Sequence, residues 1–397
     1  MAERRYALVK PDLLRWARET AGLTQEAAAR KVGIKPDRIS EWETGALNPT
    51  VPQLRKAADV YKRPLAAFFL QAPPVEPAPP HDFRRPHGDE ISAASPALRL
   101  ELRRARRRRA VARQLADELG IAVPLFRLRT TLDEDPELVA IRGREWLGVQ
   151  LGEQERWHGR YEALNGWISA LEARAVMVFQ TGDVGLDEMR GFSLPEREFP
   201  VIVLNGKDSP RGRTFTLMHE FSHLMLDRGG VCDPSQMHMP PHTPNARVEV
   251  FCNWVAGAVL VPPRELLSDP RISDVQGKRE WPDSVVSALA DRFAVSREVI
   301  LRRLLTLGRT TEAFYRRKRA EFLAAYQHQT ARQREERGFA PPSRLVVRNN
   351  GRRYTRLVLE ALERDRITPA DVSDYLGVRL KHLDDITMTV QRTTAEA

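Results

Sequence analysis

The chain has 397 residues, of which 42% are hydrophobic and 29% charged, with a formal net charge of +10. This length allows two or three domains, each with its own hydrophobic core, and the composition is that of ordinary globular proteins. No run of about 18 apolar residues is present, which excludes a membrane-spanning helix, and the first residues lack the apolar stretch of a secretory signal. Only two cysteines occur, which excludes a disulfide framework and predicts the reducing cytoplasm as the location.

The excess of positive charge has two interpretations. A basic surface attracts a polyanion such as DNA. A solubilising surface in an arginine-rich proteome would have the same composition. Sequence motifs are therefore needed to decide between the two.

The segment from Pro11 to Leu70 predicts five short helices. Two of them are joined by a tight turn at Gly33, because glycine tolerates positive φ. Two helices joined in this way form the helix-turn-helix pattern, whose second helix enters the major groove of DNA. We expect Ile39 and Trp42 to pack inward. The candidate DNA-contacting residues on or beside this unit are Gln25, Lys35, Arg38 and Ser40.

A resemblance to the phage-repressor, Cro-like (XRE-type) helix-turn-helix family covers about residues 8–70, in the words GLTQEAAARKVGIKPDRISEWETG. In that family, the parts that read DNA correspond to Gln25 and to the helix ISEWETG. The resemblance implies that residues 1–72 bind DNA, and a homodimer is expected because such domains usually bind as dimers. The alternative is a helical bundle used for dimerisation or for docking another protein.

Prolines mark the end of the N-terminal module. Five of the eight residues in 73–80 are proline, which excludes a helix or an inner strand, and residues 73–95 are predicted to form a linker. Residues 95–175 have a helical composition, with an arginine-rich stretch at 103–109. That stretch either contacts phosphate or forms a solvated helix face paired with nearby glutamates.

Strands are predicted only in the middle of the chain. The apolar, β-branched runs Val176–Phe179 and Val201–Leu204 are typical of buried strands. We expect Val201–Leu204 to lie along a cleft and to pair with an extended substrate by β-addition. Further helices are predicted at residues 212–226, 247–261, 283–305 and 356–388. Turns near Ala294 and Gly377 resemble helix-turn-helix turns, and we interpret these two segments as packing modules rather than DNA readers.

The sequence His-Glu-Phe-Ser-His at residues 219–223 has the spacing of a zinc site. His219 and His223 lie on one face of a helix, one turn apart, so both imidazoles can reach a single Zn²⁺. Glu220 lies on the adjacent edge, where it can act as the general base of an HExxH metallopeptidase. Apolar residues surround the motif, and a buried helix that carried these polar groups by chance would need other partners for them.

A catalytic zinc keeps three protein ligands and one open position, so a third ligand is expected downstream. The candidates are Asp227, Cys232, Asp233, His238, His242 and Glu249. Glu249 lies on the predicted helix 247–261, and a helix holds a carboxylate more rigidly than the Pro-rich loop 234–244 holds a histidine. Spacing therefore favours Glu249, with His238 and His242 as alternatives.

A resemblance to the ImmA/IrrE metallo-endopeptidases covers about residues 160–305, in the words GRTFTLMHEFSHLML and RVEVFCNWVAGAVLVP. It implies a gluzincin-like site in which Glu249 is the third zinc ligand and the family's asparagine corresponds to Asn253. The chain departs from the family at Phe251-Cys252, where Glu-Ala is usual, and we interpret Cys252 as a packed side chain. Family members often cleave a repressor that has a helix-turn-helix domain, and some carry such a domain themselves.

We therefore expect a multidomain α + α/β protein with four parts. They are an all-α helix-turn-helix domain (1–72), a Pro-rich linker (73–95), a mixed α/β zincin-like metallopeptidase domain with the HExxH helix (96–310) and a helical C-terminal region (311–397). The expected function is zinc-dependent cleavage of a repressor-type protein in a stress, phage or mobile-element response, without a membrane partner. The alternatives are a DNA-binding regulator whose zinc domain is a sensor or scaffold, and a toxin-like protease.

Overall fold

A computed structural model describes residues 5–75, 81–82, 94–157, 159–232, 244–274, 277–335 and 341–395. The chain divides into one unit of residues 1–79 and 90–104 and a second unit of residues 80–89 and 105–397. The expected α + α/β layout is confirmed, with a helical N-terminal part, a mixed sheet and a helical C-terminal part. Among the described helices, none combines the length and the apolar character that crossing a membrane requires.

The N-terminal module consists of short helices, as the sequence predicts. Its elements are α1 (Pro11–Thr20), α2 (Gln25–Val32), α3 (Pro36–Thr44), α4 (Val51–Tyr61) and a 3₁₀-helix (Leu65–Phe69). Gly33 ends α2 in the left-handed region, with φ of 80°. The turn to α3 therefore uses the conformation that glycine adopts without strain. Ile39 and Trp42 are buried in the core of this unit, as expected.

A buried ion pair joins α1 to α3. Arg18 donates hydrogen bonds to the two carboxylate oxygens of Glu43, at 2.6 Å and 2.8 Å. Gln25, at the start of α2, donates to the same carboxylate at 2.9 Å. Because an unpaired buried charge is strongly destabilising, this cluster fixes the relative position of the three helices.

Helix α5 (Pro96–Leu119) carries the arginine-rich stretch. Arg107 pairs with Asp374, and Arg109 donates to the carbonyl oxygen of Glu198 at 3.1 Å. The guanidinium group of Arg108 lies over the ring of Phe179, 5.0 Å from its centroid. These arginines therefore contact acidic, carbonyl and aromatic groups of the protein, which supports the prediction of a helix face paired within the chain.

The second unit contains a five-stranded sheet. Its strands are β1 (His81–Asp82), β2 (Met177–Thr181), β3 (Gly191–Leu194), β4 (Val201–Asn205) and β5 (Gly230–Cys232). Their order is β1-β5-β3-β4-β2; β2 pairs parallel with β4, β3 pairs antiparallel with β4 and β5, and β1 pairs parallel with β5. The two predicted strands are present as β2 and β4, whereas β1, β3 and β5 were not predicted.

The central position of β4 corrects one expectation from the sequence. Met177 of β2 pairs with Val201 on one side of β4, and Leu194 of β3 pairs with Val201 on the other side. Both backbone edges of β4 are therefore occupied. The prediction that Val201–Leu204 pairs with an extended substrate is wrong, because β-addition needs a free strand edge.

Helices surround this sheet and continue to the C-terminus. They are α6 (Pro136–Leu147), α7 (Leu151–Glu155), α8 (Arg160–Ala173), α9 (Pro210–Met225), α10 (Pro244–Leu260), α11 (Pro263–Leu267), α12 (Pro270–Ser273), α13 (Asp283–Arg292), α14 (Arg297–Thr306), α15 (Glu312–Glu335), α16 (Pro342–Asn350), α17 (Arg352–Glu363), α18 (Pro369–Leu376) and α19 (Leu383–Ala395). Helix α9 packs against α8, α10, β3 and β4, and α10 also packs against α6. Helices α13 and α14 pack against each other and contribute Val286, Leu289 and Ile300 to the main core, in line with a packing module.

Glu172, at the end of α8, lies against the start of α17. Its carboxylate accepts a hydrogen bond from the backbone N–H of Arg353 at 3.3 Å. A Cβ at Gly351 would lie 2.6 Å from the Glu172 carboxylate and 2.5 Å from the carbonyl oxygen of Val178. Burial raises the pKa of Glu172 from 4.5 to about 7, against the opposing effects of the Arg353 N–H and the Arg352 charge.

This raised pKa predicts that Glu172→Gln stabilises the protein above neutral pH. The pKa of Glu172 in the folded protein lies above its value in the unfolded chain. Ionisation of the buried carboxyl group therefore destabilises the folded protein progressively as the pH rises from 4.5 towards about 7. Above pH 7, the variant should therefore gain about 3 kcal/mol over the wild type, and near pH 4 almost nothing. Thermal unfolding midpoints across this pH range measure the difference. Glu162→Gln, at an exposed position of α8, is the control. If the difference in unfolding midpoint between the wild type and Glu172→Gln does not change with pH, the raised pKa of Glu172 is contradicted.

Candidate metal centre

Helix α9 is buried at every residue from Arg213 to Met225. Ser209 caps its N-terminus by accepting a hydrogen bond from the N–H of Gly212 at 3.0 Å. His219, Glu220 and His223 each have 0% of their surface exposed. A helix with apolar residues on every face belongs in a core. The three polar side chains of the motif therefore lie inside the protein, as the sequence predicts.

Strand β3 approaches this helix closely at Gly191, which the sequence analysis did not single out. A Cβ at Gly191 would lie 2.6 Å from Cγ2 of Thr216, 3.1 Å from the carbonyl oxygen of Val203 and 3.2 Å from Oε1 of Glu220. The carboxylate of Glu220 therefore lies next to the bare backbone of β3. An isolated glycine in a strand is a sign of such close approach, but the sequence analysis did not predict β3, so this signal could not be used.

Helix α10 brings Glu249 to the two histidines. The Nε2 atoms of His219 and His223 lie 3.1 Å apart. Oε2 of Glu249 lies 3.4 Å from Nε2 of His219, and Oε1 lies 3.2 Å from Nε2 of His223. Four ligands at 2.0–2.1 Å around a tetrahedral zinc are separated by about 3.3–3.4 Å. The three donor groups therefore have the spacing that one zinc ion requires.

Asn253 orients His219. Its Oδ1 lies 3.0 Å from Nδ1 of His219, and both groups are buried. Because Oδ1 is an acceptor, Nδ1 carries the proton and the lone pair of Nε2 points towards His223 and Glu249. A hydrogen bond of this kind fixes the tautomer and ring orientation of a metal-binding histidine. The resemblance to the ImmA/IrrE family singled out Asn253, but the sequence did not predict this hydrogen bond.

The charge of Glu249 is compatible with a ligand role. Burial opposes its ionisation, but in the metal-free site the charge of a protonated His219 and the N–H groups that both protonated rings donate outweigh burial and lower the pKa of Glu249 to about 2. Cys252 is also buried, and burial, together with the charges of Glu249 and Glu220, raises the pKa of its thiol well above the ordinary value. Cys252 is therefore a neutral packing residue, as expected, since a thiol ligand would need to lose its proton.

The structure describes only some of the other predicted third ligands. Among the described residues, the only group of three or more His, Cys, Asp or Glu side chains spaced for a metal is His219, His223 and Glu249. Asp227 pairs instead with Arg129, at 3.4 Å. The alternatives that lie outside the described residues are Asp233, His238, His242 and the side chain of Cys232.

The candidate DNA-contacting residues lie at the start of α2 and along α3. Lys35 precedes α3 and is exposed, and Arg38 is exposed and pairs with Glu41 at 2.9 Å. Ser40 is half-buried. Gln25 is also half-buried and donates its side-chain N–H to Glu43. Lys35 and Arg38 are thus accessible near the beginning of the second helix, where base-reading residues occur in this motif.

The close approach at Gly191 predicts that Gly191→Ala disturbs the contact between β3 and α9. The new methyl group would be too close to Cγ2 of Thr216, so a strand or helix must shift, at a cost of about 1–3 kcal/mol. Thermal unfolding and zinc affinity measure the effect. Thr216→Ser removes Cγ2, so the double variant should recover much of the loss, and Thr216→Ser alone is the control. Unchanged stability and zinc affinity in Gly191→Ala would refute the close contact.

The contact of Asn253 with His219 predicts weaker metal binding in Asn253→Ala. Without the acceptor at Nδ1, His219 is free to rotate and to change tautomer, and zinc affinity should fall by roughly 10- to 100-fold. Competition with a chromophoric chelator measures this affinity. Asn253→Asp keeps an acceptor oxygen and should bind zinc as tightly as the wild type. Equal affinities for the alanine variant and the wild type would mean that Asn253 does not orient the ligand.

Comparisons with known families agree with both parts of the chain. Residues 174–305 match the model of a peptidase family described as IrrE N-terminal-like domain, and residues 12–67 match a model described as helix-turn-helix domain. No curated protein matches the chain. The first match supports a metallopeptidase-type enzyme, in a family for which zinc is the usual metal, and the second supports DNA binding. The chain therefore combines a region similar to a helix-turn-helix domain with a region similar to an IrrE N-terminal-like peptidase domain, which agrees with the resemblance to the ImmA/IrrE proteins found in the sequence.

Proposed function

We propose that the second unit is a zinc-dependent endopeptidase of the HExxH, gluzincin-like type. The observation that carries the proposal is the spacing of 3.1–3.4 Å between the donor atoms of His219, His223 and Glu249. Two neutral imidazoles and one carboxylate are the ligand set of catalytic zinc in several peptidases, and they leave a fourth position for water or substrate. We assign these three residues as the metal ligands and Glu220 as the catalytic residue.

When bound, zinc would supply Lewis-acid chemistry by lowering the pKa of a water molecule and polarising the scissile carbonyl group. Glu220 accepts the proton of the attacking water on a carboxylate oxygen and later delivers it to the nitrogen of the leaving amine. Its position one residue after His219 keeps its carboxylate beside the ligands. The bare backbone at Gly191 leaves room for that carboxylate. Asn253 holds Nδ1 of His219 as a hydrogen-bond donor, so that Nε2 is the ring nitrogen that faces the metal position.

We propose that residues 1–72 bind DNA, that residues 73–95 are a linker and that residues 96–310 and 311–397 are the peptidase domain and a helical C-terminal region. The residues assigned to DNA contact are Gln25, Lys35, Arg38 and Ser40. The exposed positions of Lys35 and Arg38 support this assignment. A cytoplasmic homodimer on DNA, acting on another protein, would couple cleavage to transcription. The substrate that fits this coupling best is a repressor-type protein.

Replacement of Glu220 tests the peptidase proposal. Wild-type protein and Glu220→Gln are each incubated with zinc and with the product of the neighbouring regulator gene, and fragments are read by mass spectrometry. The variant should retain zinc, because the three ligands are unchanged, and should cleave at least about 100-fold more slowly, because the general base is lost. Equal cleavage by both proteins, or cleavage by neither, would overturn the proposal.

Two other functions would give different results in the same experiments. A regulator with a sensing or scaffolding zinc domain would hold zinc and bind DNA, with no cleavage that depends on Glu220. A toxin-like protease would arrest growth when expressed without a neutralising partner, and Glu220→Gln would abolish the arrest. Among the described residues, the ligand group has three members and no fourth, and Glu220 is buried beside it. This favours a reaction over a purely structural zinc site, since structural sites are closed by a fourth protein ligand.

A further inference from the structure

A cavity of about 350 Å³ lies in the second unit, where residues of α7, α8, α9 and α13 meet. None of the proposed metal ligands lines it. Its volume is near the lower end of the range of about 300–1,000 Å³ that is typical of sites for small organic molecules. The lining residues with charged or aromatic side chains are Glu155, Trp157, Arg160, Arg211, Asp291 and Arg292.

One side of the cavity is electrically neutral. Arg292 pairs with Glu155 at 2.8 Å and with Asp269 at 2.7 Å. Asp269 is also paired with Arg271, at 2.7 Å. Two guanidinium groups therefore share two carboxylates, and the remaining charges of the lining determine its sign.

The other side of the cavity has an excess of positive charge. Arg211 pairs with Asp291 at 2.6 Å, whereas Arg160 forms no ion pair among the described residues. Nε of Arg211 is buried and has no hydrogen-bond partner in the part of the chain that the structure describes. A buried N–H is costly to leave unsatisfied. One positive charge and one donor are thus left for a bound anion, and guanidinium groups bind phosphate tightly.

The indole of Trp157 forms a rigid wall of the same cavity. A Cβ at Gly166 would lie 2.4 Å from Cε2 and Cζ2 of Trp157, so the indole lies against the bare backbone of α8. The ring of Trp167 packs on it edge to face, with the centroids 5.4 Å apart. Trp157 is only half-buried and lines the cavity, so part of the indole is available to a ligand. Aromatic side chains held in this way are platforms on which nucleic-acid bases stack.

We propose that this cavity binds a free nucleotide. The arginines bind its phosphate group, and Trp157 packs against its base. Glu155 and Asp291 repel a second anionic group but accept hydrogen bonds from ribose hydroxyls, as acidic residues do in other nucleotide sites. An inorganic anion would use the arginines and leave the indole without a role. The proposal does not depend on the peptidase function.

The cavity also contacts the helix that carries the metal ligands. Arg211 is the second residue of α9, and His219 lies eight residues further, or about 12 Å along the helix. Arg160 is the first residue of α8, which packs against α9. A nucleotide held by both arginines therefore links these two helices, and it should stabilise the fold without touching the metal ligands.

The test measures nucleotide binding to the full-length, zinc-loaded protein by isothermal titration calorimetry. The probes are the 5′-monophosphates of adenosine, guanosine, cytidine and uridine, together with adenosine, which lacks the phosphate, and ribose 5-phosphate, which lacks the base. The variants are Arg160→Gln and Trp157→Leu. Arg156→Gln is the matched control, because Arg156 is also an exposed arginine, four residues away, and does not line the cavity. Circular dichroism verifies that each variant is folded.

At least one of the four nucleotides should bind the wild type and Arg156→Gln equally well. Adenosine and ribose 5-phosphate should bind at least roughly tenfold more weakly, and Arg160→Gln and Trp157→Leu should each lose roughly tenfold in nucleotide affinity. The site is overturned if none of the four binds the wild type at millimolar concentration, if Arg160→Gln binds as tightly as the wild type, or if ribose 5-phosphate binds as tightly as the nucleotides. None of these results bears on the cleavage that depends on Glu220.

Discussion

The candidate metal centre depends on one contact, the packing of α9 against α10. Each helix is largely buried, and the two place two imidazoles, a carboxylate and an amide together in the interior. Burial of polar groups is costly unless they satisfy one another. His219 contacts both Glu249 and Asn253, so the two residues of α10 depend on the position of one residue of α9. A zinc ion bound here would stabilise that contact, because metal binding and folding are coupled at a site assembled from separate elements.

A buried ion pair also links helices that surround this contact. Arg303 on α14 is almost fully buried and donates to both oxygens of Glu137 on α6, at 2.6 Å and 3.0 Å. Its Nε donates to the carbonyl oxygen of Val261, directly after α10, at 3.0 Å. One guanidinium group therefore joins α6, α14 and the end of α10. The same Glu137 accepts a hydrogen bond from Trp254, so the exposed side of α10 is also connected to this ion pair.

The sequence predicted the elements whose signal is local. The spacing of His219 and His223 specifies a helix face, and the glycine at position 33 specifies a turn, so both predictions agree with the structure. The short strand β3 has four residues, too few for a clear alternating pattern, and it was not predicted. The contacts of Gly191 and Asn253 depend on tertiary packing between segments distant in the chain, which residue spacing does not encode.

The wrong prediction about β4 shows that the order of strands in a sheet decides where a substrate can pair with the backbone. A buried apolar run has the same sequence in a central strand as at an edge, so its pattern does not reveal which backbone groups are free. In this fold, β4 is paired on both sides. Of the two outer strands, β2 is contacted by Gly351, which lies against the carbonyl oxygen of Val178. The remaining outer strand among the described residues, β1, has only two residues. Backbone pairing with a long substrate segment is therefore unavailable at β4 and restricted at β1.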